Sequence, residues 1–342
     1  MTMRRMILHS VLLIHILLCS VGSYGEQQAN ESDLFFKNPI VESGADPWVV
    51  QRDGSYFYCY SRRNCIWVSR AEHLEDIGKA MTAAVWTPPE DAPYSKELWA
   101  PELHYLRGKW YIYVAADDGD NFNHRMYVLE GTSQNPQAPF IMKGKITDSK
   151  DRWAIDGTVL ETADQNVYFI WSGWEGAENV QQNLYIAPMS DPWTISGERV
   201  CLSKPGHEWE THGNPLINEG PEVLKNGDKV FIIYSASGSW TDEYCLGQIT
   251  LIGENVLDPA SWEKKAEPVF TRTDTVFGPG HASFVKSENG KEDWIVYHSA
   301  KHSGAGWNRQ VCIQPFTWNI DGSPNFGRPV LTNVSIPIPQ RD

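Results

Sequence analysis

Five residues set the terms of this sequence: Asp46, Glu102, Asp156, Glu219 and His281. Each heads a short run of strand-forming residues, and they recur roughly 60 residues apart. If these heads point into one shared space, four carboxyls and an imidazole meet there. Like charges in a buried space repel and displace each other's pKa values. A chain keeps such a cluster for a metal ion, for a shared proton or for acid–base catalysis. Each head alone also has an ordinary reading. Asp before Pro or Gly forms turns, Glu102 before a strand can lie on the surface, and a single His is commonly a hydrogen-bonded core residue. The recurrence is what favours chemistry.

The elements that must position these residues repeat as well. The first unit reads D-P-W-V-V-Q-R-D-G-S-Y-F-Y-C-Y-S, then C-I-W-V-S-R. The second is E-L-H-Y-L-R-G-K-W-Y-I-Y-V-A-A, then R-M-Y-V-L-E. The third is D-G-T-V-L-E-T-A-D-Q-N-V-Y-F-I-W-S-G, then N-L-Y-I-A. The fourth, N-E-G-P-E-V-L-K-N-G-D-K-V-F-I-I-Y-S, ends in C-L-G-Q-I-T-L. The fifth is H-A-S-F-V-K-S-E-N-G-K-E-D-W-I-V-Y-H-S, then Q-V-C-I-Q-P-F. Each unit runs polar head, short strand, polar turn, aromatic strand, gap, third strand. Asp-Gly, Arg-Gly and Asn-Gly between apolar runs are hairpin signals. The pattern predicts an all-β chain folded as a five-bladed β-propeller, with the first strand of every blade lining a central channel that holds the active site. Helical periodicity survives only in residues 70–84, R-A-E-H-L-E-D-I-G-K-A-M-T-A-A, which allow a short helix between units one and two.

Charge and targeting bound the function. Residues 1–25 read as a secretory signal peptide: Arg4 and Arg5, an apolar stretch too short to span a bilayer, then small residues for cleavage. Cys19 raises a lipid-anchored alternative, although Leu18 stands where a small residue is expected. Residues 26–342 then form one catalytic domain, secreted or extracellular, or periplasmic or surface-attached in a bacterial host. No later stretch is apolar enough to span a membrane. A net charge of −14 opposes binding to nucleic acid or an anionic membrane. Fifteen tryptophans in a polar, loop-rich chain suit carbohydrate, whose apolar faces stack on flat rings, or packing between sheets. Cys59, Cys65, Cys201, Cys245 and Cys312 have no zinc or redox spacing. Cys59 and Cys65 leave open a disulfide across a hairpin or separate thiols. Asn30 and Asn333 begin glycosylation sequons that matter in a eukaryotic host.

The motifs G-A-D-P-W-V (44–49), W-A-P-E-L-H (99–104), A-I-D-G-T-V (154–159), N-E-G-P-E-V-L (218–224) and F-G-P-G-H-A-S-F (277–284) together resemble glycoside hydrolase family 43. The resemblance covers residues 38–329. N-H-R-M-Y-V-L-E (123–130) and I-Y-S-A-S-G-S-W (233–240) are most similar to its exo-acting α-L-arabinofuranosidase branch. It implies a five-bladed propeller that hydrolyses arabinose- or xylose-containing plant polysaccharides with inversion. It also implies Asp46 as general base, Glu219 as general acid, and Asp156 as the residue that orients the acid and raises its pKa. Arg309 in W-N-R-Q-V and His281 resemble substrate contacts. Trp48, Trp99, Trp153 and Phe277 adjoin the motifs as pocket wall or as packing, and Glu102 touches the sugar or braces the pocket.

Inversion places the two carboxyls roughly 6.5–9.5 Å apart, leaving room for a water. No cofactor is required. A calcium or sodium ion beside His281 would be structural or electrostatic, and no D-x-D-x-D-G calcium loop is present. The competing readings are a β-xylosidase of the same family and a non-catalytic, lectin-like propeller that binds arabinan.

Overall fold

Alternation explains the sheets. In the strand Lys109–Asp117, Ile112, Val114 and Ala116 face one neighbouring sheet, while Tyr111, Tyr113 and Ala115 face another. A strand buried on both faces reads as a continuous apolar run, which is how the second strand of each unit reads. The computed structural model describes residues 34–341. The expected signal peptide, Cys19 and Asn30 lie outside the described residues.

The first sheet orders Trp48–Arg52, Ser55–Ser61, Ile66–Ala71 and Met81–Trp86. The second orders Lys96–Leu106, Lys109–Asp117, Arg125–Gly131 and Phe140–Ile146. The third holds Ala154–Glu161, Val167–Trp174 and Gln181–Asp191, edged by Thr194–Ile195 and Val200–Ser203. The fourth holds Leu216–Asn226, Lys229–Ala236, Cys245–Leu251 and Trp262–Lys264. A short parallel pairing of Gln181 and Gln182 with Leu216 and Ile217 joins the third and fourth. The fifth orders Phe277–Lys286, Asp293–Ala300, Arg309–Trp318 and Pro324–Asn325. Phe35–Lys37 pairs with Ser335–Pro337 near the two ends of the described chain.

Two-residue turns close the inner hairpins of the first, second and fourth sheets. Asp53 and Gly54 both have positive φ, as do Arg107 and Gly108, the geometry whose twist matches flanking strands. Five apolar clusters fill the spaces between consecutive sheets, and one of them joins the fifth sheet back to the first through Val49, Tyr56, Val285 and Trp294. Hydrogen bonds make the same junction. Val49 N–H donates to Ser283 Oγ at 3.0 Å, and Ser283 Oγ donates to Pro47 O at 2.8 Å.

The helix expected within residues 70–84 is not formed. Ile66–Ala71 and Met81–Trp86 pair as strands, and a single 3-10 turn at Leu74–Asp76 connects them. Ladder pairing and burial of Val68 and Val85 outweigh local helix preference. Cys59 and Cys65 are both buried free thiols. Cys59 pairs with Val68 across the ladder, so Cys65 is not its cross-strand partner.

Candidate active site

A repeated backbone device builds the site. In four sheets the first strand carries a β-bulge, two residues opposing one, at the same place. The bulged pairs are Ala100-Pro101, Asp156-Gly157, Gly220-Pro221 and His281-Ala282. The first residue of each is left-handed, with φ of 41, 52, 52 and 45°. Asp46, at φ 48° ahead of Pro47, is the counterpart in the first sheet. A bulge bends its strand and re-aims side chains, a common device beside active sites. Residues at this level, Asp46, Trp99, Ile155, Asp156, Glu219 and His281, line one cavity of about 560 Å³, with Arg309 at its wall.

The five heads are therefore not equivalent. Asp46, Asp156 and His281 occupy the left-handed position, and Glu219 lies one residue before it. Glu102 lies two residues after it, level with Thr158 and Glu222. It does not line the cavity. It is buried below, with Oε2 2.8 Å from His104 Nε2. Burial first, then the charge of Glu222, pushes Glu102 well above the carboxylate range.

Asp46 is the most heavily partnered carboxylate in the cavity. Its Oδ1 accepts from Arg309 Nη1 at 3.2 Å and lies 3.2 Å from His298 Nδ1 and 3.3 Å from His281 Nδ1. Burial works to raise its pKa, but these partners override it and hold the carboxyl far below its usual range. Burial also lowers both imidazoles, His298 to about 3. At neutral pH the rings are uncharged, so the Arg309 guanidinium is the cation opposite Asp46. Arg309 Nη2 donates to Ser239 O at 2.7 Å, which fixes the fork.

Glu219 stands in the opposite condition. Burial first, then the Asp46 charge, raises it to about 7, against a hydrogen bond from Tyr244 Oη to Oε1 at 2.9 Å and the pull of Arg309. Asp156 is also pushed well above the carboxylate range, by burial first and by the charges of Glu219 and Asp46. Its Oδ2 accepts the Gly220 N–H at 3.0 Å. The two carboxyls titrate together. The expectation that the Asp156 anion is the main cause of Glu219's raised pKa is corrected: burial leads at both residues.

The aromatic wall differs from the one expected. Trp99 lines the cavity, its ring stacked 4.0 Å from His124. Trp153 lines it too, stacked on Trp174 at 4.9 Å. Trp48 does not. It packs between the first and second sheets, with Nε1 donating to Leu103 O at 2.7 Å. It lies two residues past the left-handed position, where strand alternation and depth carry it below the cavity. Phe277 also lies outside the lining, under the Arg272 guanidinium at 5.5 Å. Among the described residues no group of three or more His, Cys, Asp and Glu side chains is arranged to hold a metal ion. Around His281, Arg309 crowds the carboxylate that would serve as a second ligand.

Several residues at the site were missed by sequence reasoning. Tyr244 holds Glu219, and its ring stacks on His298 at 5.5 Å and 9°, linking the two carboxyl neighbourhoods. Trp240 and Trp307 stand at the rim. His298 had one available signal, a polar residue in the apolar run W-I-V-Y-H-S of the fifth unit.

Comparison with known proteins identifies the family. The model of Glycosyl hydrolases family 43 matches residues 36–324. An "Extracellular exo-alpha-(1->5)-L-arabinofuranosidase" of Streptomyces avermitilis is 35% identical over 96% of this chain and 71% of its own length. "Alpha-L-arabinofuranosidase 43" of Humicola insolens is 35% identical over 86% of this chain and 64% of its own length. The crystal structure of an alpha-L-arabinofuranosidase from Lactobacillus brevis is 36% identical, covers 87% of this chain and 98% of its own, and superposes with a TM-score of 0.81. With the family model spanning most of the chain and these relatives matching it along nearly its whole length, the protein belongs to glycosyl hydrolase family 43.

Proposed function

We propose that the protein is an inverting, exo-acting α-L-arabinofuranosidase that releases terminal arabinofuranosyl residues from arabinan, arabinoxylan and related plant cell-wall oligosaccharides. The observation that carries this reading is the opposed state of two carboxyls in one cavity. Asp46 is held ionised, and Glu219 is raised to about 7. Ionised Asp46 takes a proton from the attacking water. Protonated Glu219 gives its proton to the departing glycosidic oxygen, and both act on the same sugar from different sheets. Asp156 orients the acid through Gly220 and shares its titration. Arg309 keeps Asp46 charged and aimed. Trp99 and Trp153 offer apolar faces to the furanose ring.

The five sheets, with an apolar cluster at every junction including last to first, support a five-bladed propeller formed by one catalytic domain. The names of the relatives support arabinose over xylose and an extracellular location. Among the described residues no helix is long and apolar enough to cross a membrane.

Matched assays on p-nitrophenyl α-L-arabinofuranoside and β-D-xyloside, with product analysis on branched arabinan, debranched arabinan and arabinoxylan, test the reading. It expects arabinose as the product and arabinofuranoside strongly preferred. Preferred xyloside turnover would move the assignment to a β-xylosidase. Binding of arabinan without release of arabinose would make the protein a lectin.

A further inference from the structure

Glu210 is a buried carboxylate that the proton transfers do not use. It ends the 3-10 turn Glu208–Glu210 between the third and fourth sheets, and its side chain is wholly buried. Five donors converge on it. Oε2 accepts from the N–H groups of Gly206 and His207, each at 2.8 Å, and from Lys264 Nζ at 2.7 Å. Oε1 accepts from Tyr234 Oη and from Asn218 Nδ2, both at 2.9 Å. Burial works to raise its pKa, but the His207 N–H and the Lys264 ammonium override it and hold the group below the usual carboxylate range. A buried ion pair adds little stability over packed apolar side chains, so what it offers here is a fixed geometry.

That geometry belongs to Asn218, whose peptide bond leads directly into Glu219. The Asn218 side chain is closed at both ends, with Nδ2 on Glu210 and Oδ1 accepting from Ser203 Oγ at 2.7 Å. Its backbone oxygen accepts from Ser172 Oγ at 2.8 Å. The third sheet thus supplies two hydroxyls, and the Glu210 turn a carboxylate, to one residue beside the acid. The shared register sets this apart from the other sheets. Two residues ahead of the left-handed position they carry Gly44, Leu98, Ala154 and Pro279, none with a polar side chain. The strand that carries the acid has an asparagine there, fully buried.

We propose that Glu210 is a positioning residue for the general acid: through Asn218 it sets the reach of Glu219 toward the departing glycosidic oxygen. The inference rests on the arabinofuranosidase reading above and adds to proton donation a carboxylate that lies outside the catalytic cavity.

Glu210→Gln tests the link. The backbone N–H groups cannot turn away, so the amide oxygen stays with them and the NH2 group faces Asn218 and Tyr234, donor against donor. On an α-1,5-linked arabino-oligosaccharide, whose leaving group needs the proton, kcat/KM should fall by about 10–100-fold, the scale of a misplacement of roughly 1 Å. On a dinitrophenyl α-L-arabinofuranoside, whose leaving group needs none, it should change by less than about 3-fold. Loss of folded enzyme lowers both rates equally, so the contrast separates positioning from stability. Ser203→Ala removes one bond to Asn218 and no charge, and should lower the oligosaccharide rate alone by about 3-fold. It carries the test if Glu210→Gln does not fold. Losses equal on the two substrates, or an oligosaccharide rate that neither variant lowers, would overturn the positioning role and leave the arabinofuranosidase reading intact. Absence of arabinofuranoside turnover in the wild type would overturn that reading itself, and this inference with it.

Discussion

Two carboxyls that line one cavity, Asp46 and Glu219, are driven to opposite protonation states by their surroundings. Asp46 gains a guanidinium, whereas Glu219 gains mainly burial and one phenol. Activity should therefore hold down to low pH and fall as pH rises through about 7, where the acid loses its proton. Tyr244→Phe removes a hydrogen bond that favours the Glu219 carboxylate. Its loss raises the pKa, so the alkaline limb of the kcat/KM profile should move to higher pH, and an unmoved or acid-shifted limb would contradict the assignment. Asp46, Asp156 and Glu219 were legible because each carries its own turn motif of Pro or Gly. Tyr244 was not, since it reaches the site from just before the strand Cys245–Leu251, and His298 showed only as a polar residue in an apolar run; no spacing rule ties either to a carboxyl.

At the scale of the strand, the bulge does the aiming. Gly220 has φ of 52°, and a Cβ there would lie 3.1 Å from His281 Nδ1. Gly220→Ala should cost about 1–2 kcal/mol of stability from the left-handed conformation alone. It should also lower kcat, because the Gly220 N–H that holds Asp156 must shift. Chemical denaturation and kinetics on the purified variant check both effects, and an unchanged kcat would show that the bulge does not position the acid. Sequence revealed the repeat but not this register. Glu102 and Glu219 both precede apolar strands, yet the bulge between them in the shared register puts one below the cavity and the other inside it. Residues 70–84 misled for a related reason. Local preference favoured a helix, whereas pairing with Ile66–Ala71 is a long-range property.

Over the whole molecule, each sheet is buried on both faces, so the five junction clusters hold the first strands around the site. That scaffold bears the cost of a buried acid. Glu219 has a folded pKa of about 7 against a usual value near 4.5, so its contribution is intact at low pH and is lost as pH rises through about 7. The loss is on the order of 3 kcal/mol above that pH. Glu219→Gln should therefore melt at a higher temperature than wild type at pH 8 and show little difference at pH 4. Equal melting curves at both values would mean that the carboxyl is not buried in a raised state. The sheets and their order were readable from the aromatic strands and Gly turns. The depth of each carboxyl was not, because burial depends on how all five sheets meet.

The most direct test of the central claim compares leaving groups in Glu219→Gln. If Glu219 is the proton donor, turnover of an arabino-oligosaccharide should fall by about 10²–10⁴-fold. Turnover of a dinitrophenyl α-L-arabinofuranoside, whose leaving group needs no proton, should fall far less. An equal loss on the two substrates would contradict the assignment of Glu219 as the acid.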